Sequence, residues 1–155
     1  MDAIAKPQGC TNFKLRRLSR QMSRLYDAEV AQSGLKTSQY SLLSNVMHLG
    51  PLRPSDLAAA MDVDASTLTR NLKPLVAAGW LTVGEGADAR SRLVAITDAG
   101  RKKRAEAQRH WRHAQEKLNA LLGLDRVKAL HALIDESSDL LQAMGLPAQG
   151  ETDEQ

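Results

Sequence analysis

At 155 residues, 43% of them apolar but only 3% aromatic, the chain has room for one domain plus a helical arm, and its aliphatic composition favours α or α+β classes. Its formal charge of +3 includes three carboxylates in the C-terminal stretch QGETDEQ (Glu151, Asp153 and Glu154), so the body is more basic than the total and suits nucleic acid. A single cysteine, Cys10, excludes an intrachain disulfide, four scattered histidines lack zinc-ligand spacing, and no apolar run nears the ~20 residues of a membrane span.

Residues 12 to 32 read as the first helix, with Phe13, Leu15, Leu18, Met22, Leu25, Tyr26 and Val30 forming an apolar stripe and Gly34 ending it. The opposite face carries Lys14, Arg16, Arg17, Arg20 and Arg24. Thr37 or Ser38 is expected to cap a second helix running to about Leu49, and GPLRP breaks the chain after it. Pro54 suits the first position of a short third helix, because that position has no use for an amide hydrogen.

A fourth helix follows, with Asp64 as N-cap and Gly79 just past its end. The strand-prone segments WLTV and SRLVAI flank GEGADAR and read as a hairpin. TDAG then opens a long helix to about Leu122, in which seven basic residues stand against two acidic ones between Arg101 and Lys117. Asp125 is expected to cap a last helix to about Met144, with Val127, Leu130, Leu133, Ile134, Leu140 and Leu141 as its apolar stripe.

This order, with a well-capped helix before a hairpin, is the layout of a winged helix-turn-helix, mainly α with a small β-hairpin wing. In the fourth helix Leu68, Leu72, Leu75 and Val76 gather on one arc, while Ser66, Arg70, Lys73 and Ala77 fall opposite and Thr67, Thr69 and Pro74 flank them. The outer face thus combines hydroxyls, a guanidinium able to grip guanine by two hydrogen bonds, and a small residue that permits close approach. In the hairpin loop Asp88 is placed to orient Arg90 toward a narrow, negative minor groove. Pro74 removes an amide from the helix interior and predicts a bend there.

The stretches LKTSQYSLL, PLRPSDLAAAMDVDASTLTRNLKPLVAAGWL and DARSRLVAITDAG, with their flanking long helices, resemble the MarR family of bacterial transcription regulators across residues 12 to 144. The resemblance implies a homodimer on a palindromic double-stranded DNA operator, with 12–32 and 98–144 as the dimerisation region and 37–97 as the DNA-binding domain. Residues 1–11 and 146–155 are expected to be flexible tails. Carried over by position, Ser66, Thr67, Thr69, Arg70 and Lys73 become groove and phosphate contacts, and Asp88 and Arg90 the wing pair. Arg53 stands where the family often has a capping hydroxyl, which implies either a looser helix start or a phosphate contact.

The same resemblance implies repression relieved by a small aromatic or anionic effector in a cleft between arm and wing domain, with Arg16, Arg20, Tyr26, His48 and Trp111 as candidates. Cys10, before a basic helix, matches the place of a redox-sensing cysteine in one branch of the family. An enzyme is disfavoured, because no Gly-rich phosphate loop, carboxylate pair or metal spacing accompanies the cysteine and histidines, and no cofactor is implied. A winged-helix module that binds protein rather than DNA is the rival reading. The start MDAIAKPQG has neither the charge nor the apolar core of a signal peptide, so a soluble cytoplasmic protein is expected.

Overall fold

The computed structural model describes residues 7–85 and 92–146. Helix α1 (Thr11–Val30) passes into a 3-10 turn over Ala31–Ser33, and Gly34, at φ 81°, releases the chain. The expected helix to residue 32 is therefore an α-helix whose last turn tightens. The Ser33 hydroxyl donates to the Val30 carbonyl at 2.6 Å inside the protein.

Helix α2 (Thr37–Leu49) includes Thr37 and Ser38, the expected caps, as its first two residues. Lys36 holds the N-cap position, and its amide donates to Oε1 of Gln39 at 2.9 Å. The Thr37 hydroxyl is engaged elsewhere, donating to Oδ1 of Asp27 at 2.5 Å and so tying the start of α2 to α1. Helix α3 (Pro54–Ala60) begins with its proline, and α4 (Ala65–Ala77) follows a turn in which Asp62 takes a positive φ.

Strands β1 (Leu81–Val83) and β2 (Val94–Ile96) pair antiparallel with Leu81 opposite Ile96 and Val83 opposite Val94. Leu52 adds a bridge to Val94 through two backbone bonds of 3.2 and 2.8 Å, so the stretch read only as a chain break also supplies a third edge to the wing.

Helix α5 (Asp98–Leu122) is capped by the Thr97 hydroxyl, which accepts from the Gly100 amide at 3.0 Å. Helix α6 (Leu124–Ala143) does not use Asp125 as its cap. The chain turns at Gly123 (φ 83°), which puts Leu124 at the first helical position and Asp125 inside the first turn, where a carboxylate complements the helix dipole.

One core joins the elements. Leu35, Leu42, Leu43, Val46, Leu57, Leu68, Leu75, Leu81 and Val94 are buried, with Val30 of α1 and Ala107 of α5 closing it. Such aliphatic packing at helical spacing is what the composition predicts. The stripe expected on α6 is different: Val127 is buried and Leu130 half-buried, but Leu133, Ile134, Leu140 and Leu141 face solvent in the single chain. None of the described helices is long and apolar enough to cross a membrane.

Candidate nucleic-acid interface

Both ends of α4 are fixed by side-chain and backbone bonds. Oδ1 of Asp64 accepts from the Thr67 amide and from the Ser66 hydroxyl, each at 2.7 Å. Those donors, the Thr67 amide foremost, hold the Asp64 carboxyl down at about 2. At the other end the Gly79 amide donates to Val76 O and the Trp80 amide to Leu75 O, both at 3.0 Å, with Gly79 at φ 79°. Leu68, Leu72 and Leu75 bury the inner face.

The outer face is displayed as the spacing predicts. Ser66, Thr69, Arg70 and Lys73 are exposed and Thr67 is half-buried. The hydroxyls are already in use: Ser66 donates to Asp64, and Thr69 donates to the Ala65 carbonyl at 2.9 Å. Arg70 and Lys73, which have no internal partner among the described residues, are thus the groups most ready to meet an anion. The helix continues unbroken through Pro74, which is exposed on its flank.

Arg53 serves the start of α3. Its Nε lies 3.0 Å from Oδ2 of Asp56, an exposed ion pair across the first turn, while no side chain among the described residues caps the backbone amides there. Beside Lys73, a pocket of about 580 Å³ opens between α3, α4 and the hairpin, lined by Pro54, Ser55, Leu72, Val83 and Arg92 among others. Asp88 and Arg90 lie outside the described residues.

The expected effector residues separate into groups. Tyr26 and Trp111 meet with ring centroids 5.7 Å apart, and the Tyr26 hydroxyl donates to Oε1 of Gln115 at 2.5 Å. Burial pushes the Tyr26 hydroxyl pKa up. The two rings line a pocket of about 620 Å³ with Leu15, Leu18, Met22, Leu130 and Ile134. Arg16 and Arg20 border a separate shallow groove with Leu15 and Ser19, and His48 sits exposed at the end of α2, 3.5 Å from Arg104. The five do not converge on one cleft in the single chain. Cys10 is exposed at the N-cap position of α1, with its carbonyl accepting from the Lys14 amide at 3.1 Å.

Two buried ionisable residues escaped the sequence reading. Arg104 is 6% exposed, donates from Nε to the Ser44 hydroxyl at 2.9 Å, and stacks its guanidinium over the Tyr40 ring at 5.8 Å. Glu29 is buried where α1 meets α5, against His113, Lys117 and Gln32. The signal was positional in both cases. Glu29 continues the stripe of Met22, Leu25 and Tyr26, and Arg104 shares a face with Gly100, Ala107 and Trp111.

A capped helix held by leucines, following a short helix and a turn and leading into a hairpin, defines the winged helix-turn-helix class. The model of the MarR family matches residues 33–91, and the chain belongs to that family. An uncharacterized HTH-type transcriptional regulator of Bacillus subtilis (strain 168), YwoH, is 31% identical over 88 residues, which are 57% of this chain and 64% of that protein. The chain thus spans a little under two thirds of that curated relative.

Among solved structures, the M. tuberculosis transcriptional regulator MosR in complex with DNA is 32% identical, with 85% of this chain and 98% of that one covered and a TM-score of 0.63. The oxidized form of MarR from E. coli shares the fold, with a TM-score of 0.72 over 87% of this chain and 98% of that one at 20% identity. Both relatives above 30% identity are transcription regulators by name.

Proposed function

We propose that the chain is a sequence-specific DNA-binding transcription regulator, a repressor that binds a palindromic operator as a homodimer with one α4 helix in each major groove. The observation that carries this reading is α4 itself. It is locked at both ends, seated on three leucines, and presents Arg70 and Lys73 outward with no internal partner among the described residues. Arg70 then reads a base edge and Lys73 a phosphate, while Ser66, Thr67 and Thr69 contact the backbone by turning hydroxyls that now close the helix. Asp88 and Arg90 carry the minor-groove contact.

Exposed Leu133, Leu140 and Leu141 on α6 support the dimer, with 12–32 and 98–144 as its arm and 37–97 as the reading domain. The Tyr26–Trp111 pocket supports an aromatic effector, and the exposed Cys10 at the head of a basic helix supports release by oxidation. A cytoplasmic location follows from such a role.

Selection from a random duplex pool tests the reading. A recovered palindrome with half-sites about one helical turn apart is expected, with affinity falling steeply as salt is added. Failure to enrich any motif, with binding indifferent to salt, would favour a protein-binding winged helix instead.

A further inference from the structure

The winged domain is attached to the helical arm at two places: where α1 ends before Gly34, and through α5, which starts at the wing and continues into the arm. The early turns of α5 pack against the wing domain. Gly100 abuts the Trp80 carbonyl, and Arg104 bonds to Ser44 of α2. The later turns meet α1, with Trp111 and Gln115 against Tyr26. The angle at which α1 crosses α5 therefore determines how the winged domain leaves the arm.

Glu29 sits at that crossing. Its side chain is 4% exposed and lies in the last turn of α1. Oε2 meets Nδ1 of His113 at 2.9 Å and accepts from Nε2 of the Gln32 side chain at 3.0 Å, while Oε1 pairs with Nζ of Lys117. One carboxylate thus gathers two successive turns of α5 and the 3-10 turn that leads into α2. Its carboxyl is held down at about 2, chiefly by the Lys117 hydrogen bond and then by His113.

An apolar residue here would continue the stripe of α1 and permit sliding over α5. A buried carboxylate satisfied from three directions fixes one register, which is the best-attested use of buried ion pairs. Such a clamp adds little net stability but defines geometry.

We infer that Glu29, clamped by Lys117 and His113, is a positioning residue that sets the spacing and orientation of the two reading helices in the dimer, and so the half-site spacing the regulator accepts. The inference rests on the DNA-binding reading above. Glu29 touches no DNA in it. It acts through the α1–α5 angle, and its loss broadens the range of accepted operators rather than altering which bases are read.

The test uses the full-length protein and operators built from the selected palindrome, with the half-sites moved closer or farther by single base pairs. The wild type is expected to show a sharp optimum, losing about tenfold in affinity per step. Glu29→Gln and Lys117→Gln should flatten that profile, with the optimal operator weakened about tenfold and the mis-spaced ones retained.

Lys117 is 46% exposed, so Lys117→Gln removes the clamp at a site tolerant of change should Glu29→Gln fold poorly. Lys117→Arg, which keeps a cation at the carboxylate, should restore the sharp profile. A purely structural role would lower the melting temperature and leave the spacing optimum where it was. Variants that reproduce the wild-type optimum would overturn the clamp alone. A wild type with no preferred spacing would overturn the dimeric DNA reading and the clamp with it.

Discussion

Gly79 and Gly100 flank the hairpin, one before β1 and one in the first turn of α5, and resist a side chain for opposite reasons. A Cβ on Gly100 would stand 2.1 Å from the Trp80 carbonyl oxygen and 2.8 Å from Cγ1 of Ile96, so α5 approaches the hairpin too closely for any side chain. Gly100→Ala is expected to cost about 3 kcal/mol in urea unfolding, the upper range for overpacking against backbone. Around Gly79 nothing lies within 4 Å, and only its φ of 79° resists a side chain. Gly79→Ala should therefore cost about 1 kcal/mol, the ordinary penalty of a left-handed residue.

Asp64 gives a pH signature. Its folded carboxyl lies at about 2 against an ordinary 3.8, so the unfolded chain takes up its proton first. The stabilisation is complete above the ordinary value and is lost as pH falls from there toward 2. In melting scans the gap between the parent and Asp64→Ala should be constant from neutral pH down to about 5 and should shrink below it. Asp64→Asn should show a smaller gap, because its amide oxygen still accepts from the Thr67 amide.

At the scale of elements, α4 was legible because both ends are written in residue type. Asp64 and Gly79 are the residues those positions need, and the leucines repeat at helical period. The cap of α2 was not legible, since Thr37 would serve well in isolation and only its tertiary bond to Asp27 diverts it. Asp125 failed as a cap for a related reason: the turn was already made at Gly123. The effector cleft was the least legible part, because Tyr26 and Trp111 meet across 85 positions of sequence while Arg16 and Arg20 border a neighbouring groove on the same helix.

The two faces of α4 make a separable prediction. Arg70→Ala, exposed and without an internal partner among the described residues, should leave stability within about 0.5 kcal/mol of the parent. It should weaken the cognate operator by about 1–3 kcal/mol and random DNA far less. Leu75→Ala, fully buried, should do the reverse, costing about 2–5 kcal/mol of stability without changing which operator is preferred. Equilibrium unfolding and operator titration on the same two variants check both halves. An Arg70→Ala protein with unchanged discrimination would remove α4 from the role of reader.

For the whole molecule the decisive feature is the uncovered arm. Helix α6 is 20 residues long, yet Val127 is its single buried residue, Leu140 is 71% exposed, and Met144 just past its end is 80% exposed. A helix with so much of its apolar stripe in water gains little from propensity alone, since most helical stability in proteins comes from packing of that stripe. A second copy of the chain supplies the cover in the proposed dimer, which makes folding of the arm and association one process. Two consequences follow from mass action. The melting midpoint should rise with protein concentration, and Leu133→Glu with Leu140→Glu should shift the sedimenting species from dimer to monomer. Because each monomer then carries one reading helix, the double variant should lose the palindrome while keeping weak, salt-sensitive affinity for any duplex. Arg70→Ala should show the complementary pattern, remaining dimeric while losing discrimination. A parent chain that sediments as a monomer at micromolar concentration, with a midpoint independent of concentration, would leave the stripe of α6 to some other partner.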